Sequence, residues 1–381
     1  MTQIIYKIID ERQYKHSQAL SHLNLENVVG SYEKIYVSSK NDFSMIFEAA
    51  NRCESDLLMS ENNFYIVPVF YNHAERLDTL ENWKFHIDKF INDNVELLSK
   101  SNVVLAIYDL FETSRHFVES VNEIAHKFSF DILAVTANKK FNSNMPNLTV
   151  VYNDTWMETF KSKESILDYR PNKLYINFNR VARHHRCVLM EKIIDNNLLS
   201  NGYNTWGDVY GAFSLYKEKN PYTKIEKQTF DVLDIEDLSS INPNFSIPEL
   251  HCTKSFLFLN TESNIESDQL FFSEKVYKPI AIGMPFMTLG NPGTLQDLRT
   301  RGFVTFSDWW DEGYDLDLDL NSRIEIIIKN LKKLSQYKSA DLIRIRKEMQ
   351  DILEHNLNLY TVLQRKHWLS ESLTLYVQGL T

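Results

Sequence analysis

Apolar runs separated by helix-like periodicity organise the first half of the chain. Val103–Tyr108 is continuously apolar, which is the pattern of a parallel strand covered on both faces. The apolar residues Val118, Val121 and Ile124 then recur at the spacing of one helix face. This alternation of strands and helices predicts a doubly wound α/β domain. Further strands are predicted at 34–37, 64–70, 131–136 and 148–152.

The pattern resets near Arg170–Asn172, where we place a domain junction. Leu174–Phe178 is predicted to be a strand, and a helix follows it. Residues 256–306 then give strand, loop, helix, strand, turn and helix, which is the βαβ rhythm of a parallel sheet. We predict a first α/β domain over 1–168, a second over 169–358, and a C-terminal helix over 359–381 that packs back towards the first domain. Apolar periodicity near the end of the chain predicts two helices, around 342–353 and 357–373.

Two carboxylates follow the clearest strand of the first half. Asp109 ends the run Val103–Tyr108, and Glu112 follows shortly after. Carboxylates just past the carboxyl end of a parallel strand lie where α/β folds place ligands and chemistry. We therefore predict Asp109 and Glu112 as candidate catalytic residues, with a helix N-cap and a surface charge as the alternative.

A cationic cluster lies between the predicted strand 174–178 and the helix after it. It contains Arg180, Arg183 and Arg186 together with the adjacent histidines His184 and His185. A planar guanidinium matches phosphate oxygens, so the arginines predict a phosphate site, with a solvated junction loop as the alternative. Adjacent histidines point in different directions and no third ligand is nearby, which disfavours a metal site.

Composition and charge exclude several classes of function. The chain has 381 residues, 43% of them hydrophobic, and no apolar run long enough to span a membrane. We therefore expect two domains, no membrane partner and a cytoplasmic location. A net charge of −10 argues against broad electrostatic binding to DNA. The three cysteines are far apart and imply neither a zinc site nor a disulfide framework.

The stretch from residue 256 onwards carries a longer motif. A strand that ends in FLNT is followed by FFSEKVYKPIAIG and then by MPFMTLGNPGTLQDLRTRGF. This pattern resembles the donor-binding segment of fucosyltransferase-type glycosyltransferases and of glycosyltransferases from bacterial viruses. The resemblance implies a GT-B-like α/β fold, in which two Rossmann-like domains face a central cleft and the second domain holds a nucleotide sugar.

The resemblance also implies roles for single residues. Glu274 would contact the ribose and Lys275 the pyrophosphate of the donor, and Arg186 matches an arginine that binds the pyrophosphate. A lysine in the first turn of a helix adds a full charge to the partial positive charge of the helix N-terminus, which suits a diphosphate. The predicted nucleotide-sugar-binding residues are Arg180, Arg183, Arg186, Asn260, Glu262, Glu274, Lys275 and Lys278.

We therefore expect a metal-independent hexosyl- or pentosyltransferase that needs no cofactor and uses a UDP- or GDP-linked sugar as donor. The acceptor would be a glycan or, given the viral resemblance, a hydroxymethylated pyrimidine in phage DNA. One alternative of another class is a non-catalytic nucleotide- or sugar-binding module. Another is a metal-dependent GT-A enzyme that uses the D-x-D carboxylates Asp315, Asp317 or Asp319, although helix capping explains Asp319 better.

Overall fold

The computed structural model describes the chain in separate segments. The described residues are 4–5, 64–70, 87–88, 91–93, 95–99, 103–109, 115–152, 154, 156–157, 169–179, 181–206, 212–225 and 249–364. The chain separates into two compact units, Met1–Thr159 with Lys366–Thr381, and Phe160–Arg365. None of the described helices is both long enough and apolar enough to cross a membrane.

The first unit contains a parallel sheet of five strands in the order β1-β2-β3-β4-β5. Alternate residues of β3 are buried together with the apolar face of the helix that follows it, which includes Phe117 and Val121. The continuous apolar runs of these strands are explained by burial on both faces of a parallel sheet. The strands are β1 (Ile4–Ile5), β2 (Phe64–Phe70), β3 (Val103–Asp109), β4 (Ile132–Thr136) and β5 (Leu148–Tyr152), and the helices are α1 (Val95–Leu98) and α2 (Arg115–Lys127).

The second unit contains a parallel sheet of four strands in the order β7-β6-β8-β9. All seven residues of β8 are buried, polar ones included, which is typical of an inner strand of a parallel sheet covered on both faces. Gly202 begins β7, and a Cβ atom there would lie 2.2 Å from the ring of Tyr175, so the close approach of β7 to β6 requires glycine. The strands are β6 (Lys173–Asn179), β7 (Gly202–Trp206), β8 (Ser255–Thr261) and β9 (Phe286–Leu289).

Eight helices are described in the second unit. They are α3 (His184–Asp195), α4 (Ala212–Lys219), α5 (Glu249–Thr253), α6 (Glu274–Ala281), α7 (Thr294–Thr300), α8 (Leu320–Leu334), α9 (Ser339–Glu348) and α10 (Gln350–Leu363). The α10 helix packs on α6, where the rings of Tyr277 and Tyr360 lie 5.6 Å apart.

The predicted α/β class and the predicted strands within the described residues are confirmed. The predicted strand at 34–37 lies outside them. Two C-terminal helices were predicted around 342–353 and 357–373, and this division is wrong because the break falls at Met349. The predicted helix over 359–381 is described only as far as residue 364, and the domain bounds at 168 and 358 stay predictions.

Aspartates of the D-x-D segment cap two helices. Asp319 is the N-cap of α8 and accepts hydrogen bonds from the backbone nitrogens of Asn321 and Ser322, which confirms the predicted capping. Asp315 accepts from the backbone nitrogens of Leu295 and Gln296, at 2.9 and 3.0 Å, in the first turn of α7. Burial raises the pKa of Asp315 to about 6 despite these two bonds.

Candidate functional site at the carboxyl ends of β6 and β8

The strands β6 and β8 lie side by side where the order of the second sheet reverses. From β6 the chain crosses to β7 on one side, then returns to β8 and continues to β9 on the other side. In open parallel sheets such a reversal leaves a crevice beyond the carboxyl ends of the two central strands, and ligands usually bind there. The segments 181–186 and 262–275 follow these two strand ends and carry most of the predicted binding residues.

A chain of buried amides and hydroxyls joins the two strand ends. The Thr261 hydroxyl donates to the side-chain oxygen of Asn179 at 2.7 Å, and the Asn179 amide donates to Asn177. Asn177 in turn donates to the Leu259 carbonyl at 2.6 Å. Asn260, a predicted binding residue, donates to the Thr288 hydroxyl at 3.3 Å and is only 2% exposed. These bonds fix the strand ends and satisfy polar groups that burial would otherwise penalise.

The α6 helix begins beside these strand ends and presents Lys275. Its N-cap is Ser273, whose hydroxyl accepts a hydrogen bond from the Lys275 backbone nitrogen at 3.2 Å. The Lys275 ammonium group donates to Glu274 at 2.8 Å, to the Ser273 hydroxyl at 3.3 Å and to the Ser263 hydroxyl at 3.5 Å. Its side chain keeps 22% exposure, so the ammonium group can reach a ligand.

Glu274 is the buried partner of two lysines. Burial raises the pKa of its carboxyl, but the charges of Lys275 and Lys278 outweigh this effect and hold the pKa below its ordinary value. Lys278 is 7% exposed on the same helix, one turn after Glu274. Glu274 is therefore an anion that pairs with the Lys275 ammonium group.

Glu262 follows β8 directly and is fully buried. One carboxylate oxygen accepts from the Ser273 backbone nitrogen at 3.1 Å, and the other accepts from the Ser273 hydroxyl at 2.5 Å and from the Ser263 backbone nitrogen at 3.2 Å. Burial raises the pKa of Glu262, whereas the Lys275 charge and the Ser273 bonds oppose this rise. The carboxylate thus lies under the N-terminus of α6, where a negative charge is favourable.

The first turn of α3 reaches across to the end of β8. Arg186, which is 3% exposed, donates through Nη1 to the Val181 carbonyl and through Nη2 to the carbonyls of Thr261 and Glu262, each at 3.0 Å. His185 contacts the same Glu262 carbonyl through Nε2 at 2.8 Å. Since a carbonyl only accepts, Nε2 carries the proton of a neutral imidazole. The side chains of Arg186 and His185 thus both donate hydrogen bonds to main-chain carbonyls. The predicted contact of Arg186 with a diphosphate stays a prediction.

Sequence reasoning missed Ser263 and this role of His185. Ser263 stands directly after Glu262, so its position beside a predicted strand end was an available signal. No signal in the sequence indicated the contact of His185 with the Glu262 carbonyl, because Glu262 lies 77 residues away in the chain.

Because folded His185 stays neutral, the free energy of unfolding should fall as the pH is lowered. Burial, helped by the charge of Arg186, lowers the pKa of His185 to about 3 in the folded protein. The unfolded chain protonates this histidine near pH 6.5, so acid favours unfolding between these two values. Replacing His185 by Gln keeps an N–H donor and removes the titration. We expect wild type to lose about 2 kcal/mol relative to His185→Gln between pH 7 and pH 5. Urea unfolding of both proteins at the two pH values checks this, and parallel losses would contradict it.

Arg183 adds a further positive charge close enough to His185 to lower the pKa of that histidine. It is the N-cap residue of α3, and its side chain makes no capping hydrogen bond. Together with the buried Arg186 and with Lys275 and Lys278, it gives this part of the site more positive than negative side chains, even though Glu262 and Glu274 are both present. Arg180, the remaining predicted arginine, lies outside the described residues.

Asp109 lies in the first unit at the carboxyl end of β3, as predicted. It is 1% exposed and pairs in register with Thr136 of β4, and its carbonyl accepts from the Ala137 backbone nitrogen at 3.0 Å. Glu112, the other predicted catalytic carboxylate, lies outside the described residues.

The residues beyond β6 and β8 provide fixed donors and net positive charge, which suit a phosphorylated ligand. No protein-family model matches the chain, and no curated protein matches its sequence. The function therefore has to be inferred from the residues of the site themselves.

Proposed function

We propose that the chain is a glycosyltransferase that takes a sugar from a nucleotide-sugar donor, with the diphosphate bound beyond the carboxyl ends of β6 and β8. The observation that carries the proposal is the position of Lys275. Its ammonium group stands in the first turn of α6, at the point where the sheet order reverses, and remains partly exposed. The motif around Ser273-Glu274-Lys275 supports the same function by resemblance.

A diphosphate needs several donors and net positive charge. Lys275 supplies a partly exposed cation, and Arg183 at the start of α3 supplies a second positive charge. Arg186 adds a buried charge nearby even while its guanidinium holds main-chain carbonyls. In this proposal Glu274 releases part of its hold on Lys275 and accepts from the ribose hydroxyls, as the resemblance implies.

The reaction breaks the bond between the anomeric carbon and the diphosphate and forms a bond to an acceptor oxygen. Negative charge grows on the leaving diphosphate, and the fixed cations stabilise it without a metal ion. The acceptor hydroxyl loses its proton to a general base, for which we propose Asp109 of the first unit. This assignment requires a GT-B arrangement with the donor and the base on two domains, which is part of the proposal.

Replacing Lys275 by Ala is expected to weaken binding of the nucleotide sugar by about 1.5 to 3 kcal/mol, the range for hydrogen bonds to charged groups. The fold should survive, because the Lys275 side chain is partly exposed and Ser273 keeps its bonds to Glu262. The charge of Lys278 also still acts on Glu274. Calorimetric titration with UDP- and GDP-linked sugars measures the change.

The matched control is Lys224→Ala. Lys224 pairs with Asp195 at the last residue of α3, about 16 Å along the helix axis from the site. The Lys224→Ala substitution removes one positive charge, as Lys275→Ala does, and should leave the affinity for the nucleotide sugar unchanged. Equal affinities of wild type and Lys275→Ala would overturn the placement of the diphosphate. Tight binding with no turnover on any acceptor would favour a binding module over an enzyme.

A further inference from the structure

The Lys275 ammonium group contacts two serine hydroxyls, and both serines are hydrogen-bonded to the carboxylate of Glu262. The two hydroxyls are Ser273 Oγ at 3.3 Å and Ser263 Oγ at 3.5 Å. The backbone nitrogens of the same two serines donate to the carboxylate of Glu262, and Ser273 Oγ donates to it as well. Both hydroxyl contacts of Lys275 therefore depend on where Glu262 holds the two serines.

Glu262 is itself fixed from the opposite side. Its carbonyl accepts from His185 at 2.8 Å and from Arg186 at 3.0 Å. Its side chain also packs tightly, because a Cβ atom added at Gly290 would lie 3.2 Å from its Cγ atom. With 0% exposure and three donors on its carboxylate, Glu262 has no free surface for a ligand in this geometry.

We infer that Glu262 is a positioning residue that sets where the Lys275 ammonium group stands, rather than a ligand contact as the sequence predicted. The inference rests on the proposed function, since it gives Lys275 a diphosphate to meet. Loosening Glu262 should therefore weaken the contribution of the second phosphate to binding and spare the contribution of the nucleoside.

The test compares the affinity for UDP with that for UMP, and the affinity for GDP with that for GMP. A Glu262→Gln variant keeps the size of the side chain but replaces one acceptor oxygen by an amide that cannot accept. We expect the preference for the diphosphate to fall about fivefold, the worth of one hydrogen bond. Ser273→Ala should lower the preference for the diphosphate in the same way, whereas Ser273→Thr, which keeps the hydroxyl, should show the wild-type preference.

Glu312→Gln is the matched control for loss of a buried carboxylate. Glu312 accepts from the Phe306 backbone nitrogen, from the Thr305 hydroxyl and from Arg299, and its side chain is 6% exposed. This variant should lose stability without changing the diphosphate preference. A purely structural role for Glu262 predicts that Glu262→Gln behaves like this control and that Ser273→Ala and Ser273→Thr are alike. Those results would overturn the inference.

A second readout does not need a bound nucleotide. The acetylation rate of Lys275 by acetic anhydride, followed by mass spectrometry, reports how firmly the ammonium group is held, and Lys224 serves as the internal reference. Glu262→Gln and Ser273→Ala should each raise the rate about fivefold. A raised rate with no binding of UDP or GDP by wild type would support the positioning role and reject the proposed function. An unchanged rate would reject the positioning role.

Discussion

Replacing Arg186 by Met is expected to lower the free energy of unfolding of the second unit by about 3 to 5 kcal/mol, because it removes three hydrogen bonds to a charged group, each worth about 1.5 to 3 kcal/mol, and with them the cost of burying that charge. The guanidinium holds three main-chain carbonyls, those of Val181, Thr261 and Glu262. Methionine fills a similar length but donates to none of them, so each carbonyl loses one donor. The Glu262 carbonyl nevertheless keeps His185, and the Val181 carbonyl keeps the Arg183 backbone nitrogen. Chemical denaturation of both proteins measures the loss.

Arg344→Met provides the control for loss of an arginine. Arg344 is 62% exposed and pairs with Asp341 and Glu348 on α9, and exposed pairs of this kind contribute at most about 1 kcal/mol. Arg186→Lys should lose an amount of unfolding free energy between those of Arg344→Met and Arg186→Met, because the lysine ammonium group restores a charge but lacks the planar, forked donors of a guanidinium. If Arg186→Met proved as stable as Arg344→Met, the three carbonyl contacts would not be the reason for the burial of this arginine.

Replacing Asp109 by Asn is expected to lower turnover about 100-fold or more, the lower end of what general-base catalysis contributes. The amide keeps the size of the buried side chain and removes its capacity to take a proton. Donor affinity should stay close to wild type, because the donor residues belong to the second unit. Turnover assays need acceptors, and we would test simple glycans beside DNA that contains hydroxymethylcytosine.

Asp154→Asn is the matched control in the same sheet. Asp154 follows β5, is 3% exposed, and accepts from the Tyr152 hydroxyl at 3.1 Å and the Met157 backbone nitrogen at 3.2 Å. These bonds give it a structural role, so its amide variant should turn over normally. Wild-type turnover of Asp109→Asn would show that the base lies elsewhere or that the reaction needs none.

Most strands and several helices could be predicted because they are written in local patterns, whereas β7, α4 and α5 were not predicted. Four of the seven buried residues of β8, Phe256–Leu259, appear in the sequence as an apolar run, and the start of α6 appears as Ser273-Glu274-Lys275. The break between α9 and α10 was misplaced because Met349 is apolar and continues the helical pattern without glycine or proline. The structure instead ends α9 at Glu348 and begins α10 at Gln350.

The site could be predicted only where its residues are neighbours in the chain. Lys275 and Glu274 were found because a helix start presents them together. The contacts of His185 and Arg186 with the Glu262 carbonyl span 77 and 76 residues, and no local pattern reports a main-chain acceptor that far away. Arg323 was missed for the same reason, since its guanidinium holds the carbonyls of Tyr314 and Gly290. Arg186 was predicted to bind phosphate, and its contacts with main-chain carbonyls were missed because the sequence alone does not separate a phosphate from a carbonyl as the partner of an arginine.

Calorimetric titration of UDP- and GDP-linked sugars in EDTA tests the central claim most directly. The proposal predicts that wild type binds one of these donors without a divalent metal, and that Lys275→Ala binds it about 10- to 150-fold more weakly while Lys224→Ala binds it normally. Binding that requires manganese would favour a GT-A enzyme that uses the D-x-D carboxylates. Equal binding by wild type and Lys275→Ala, or no binding of either donor by wild type, would contradict a donor diphosphate beyond β6 and β8.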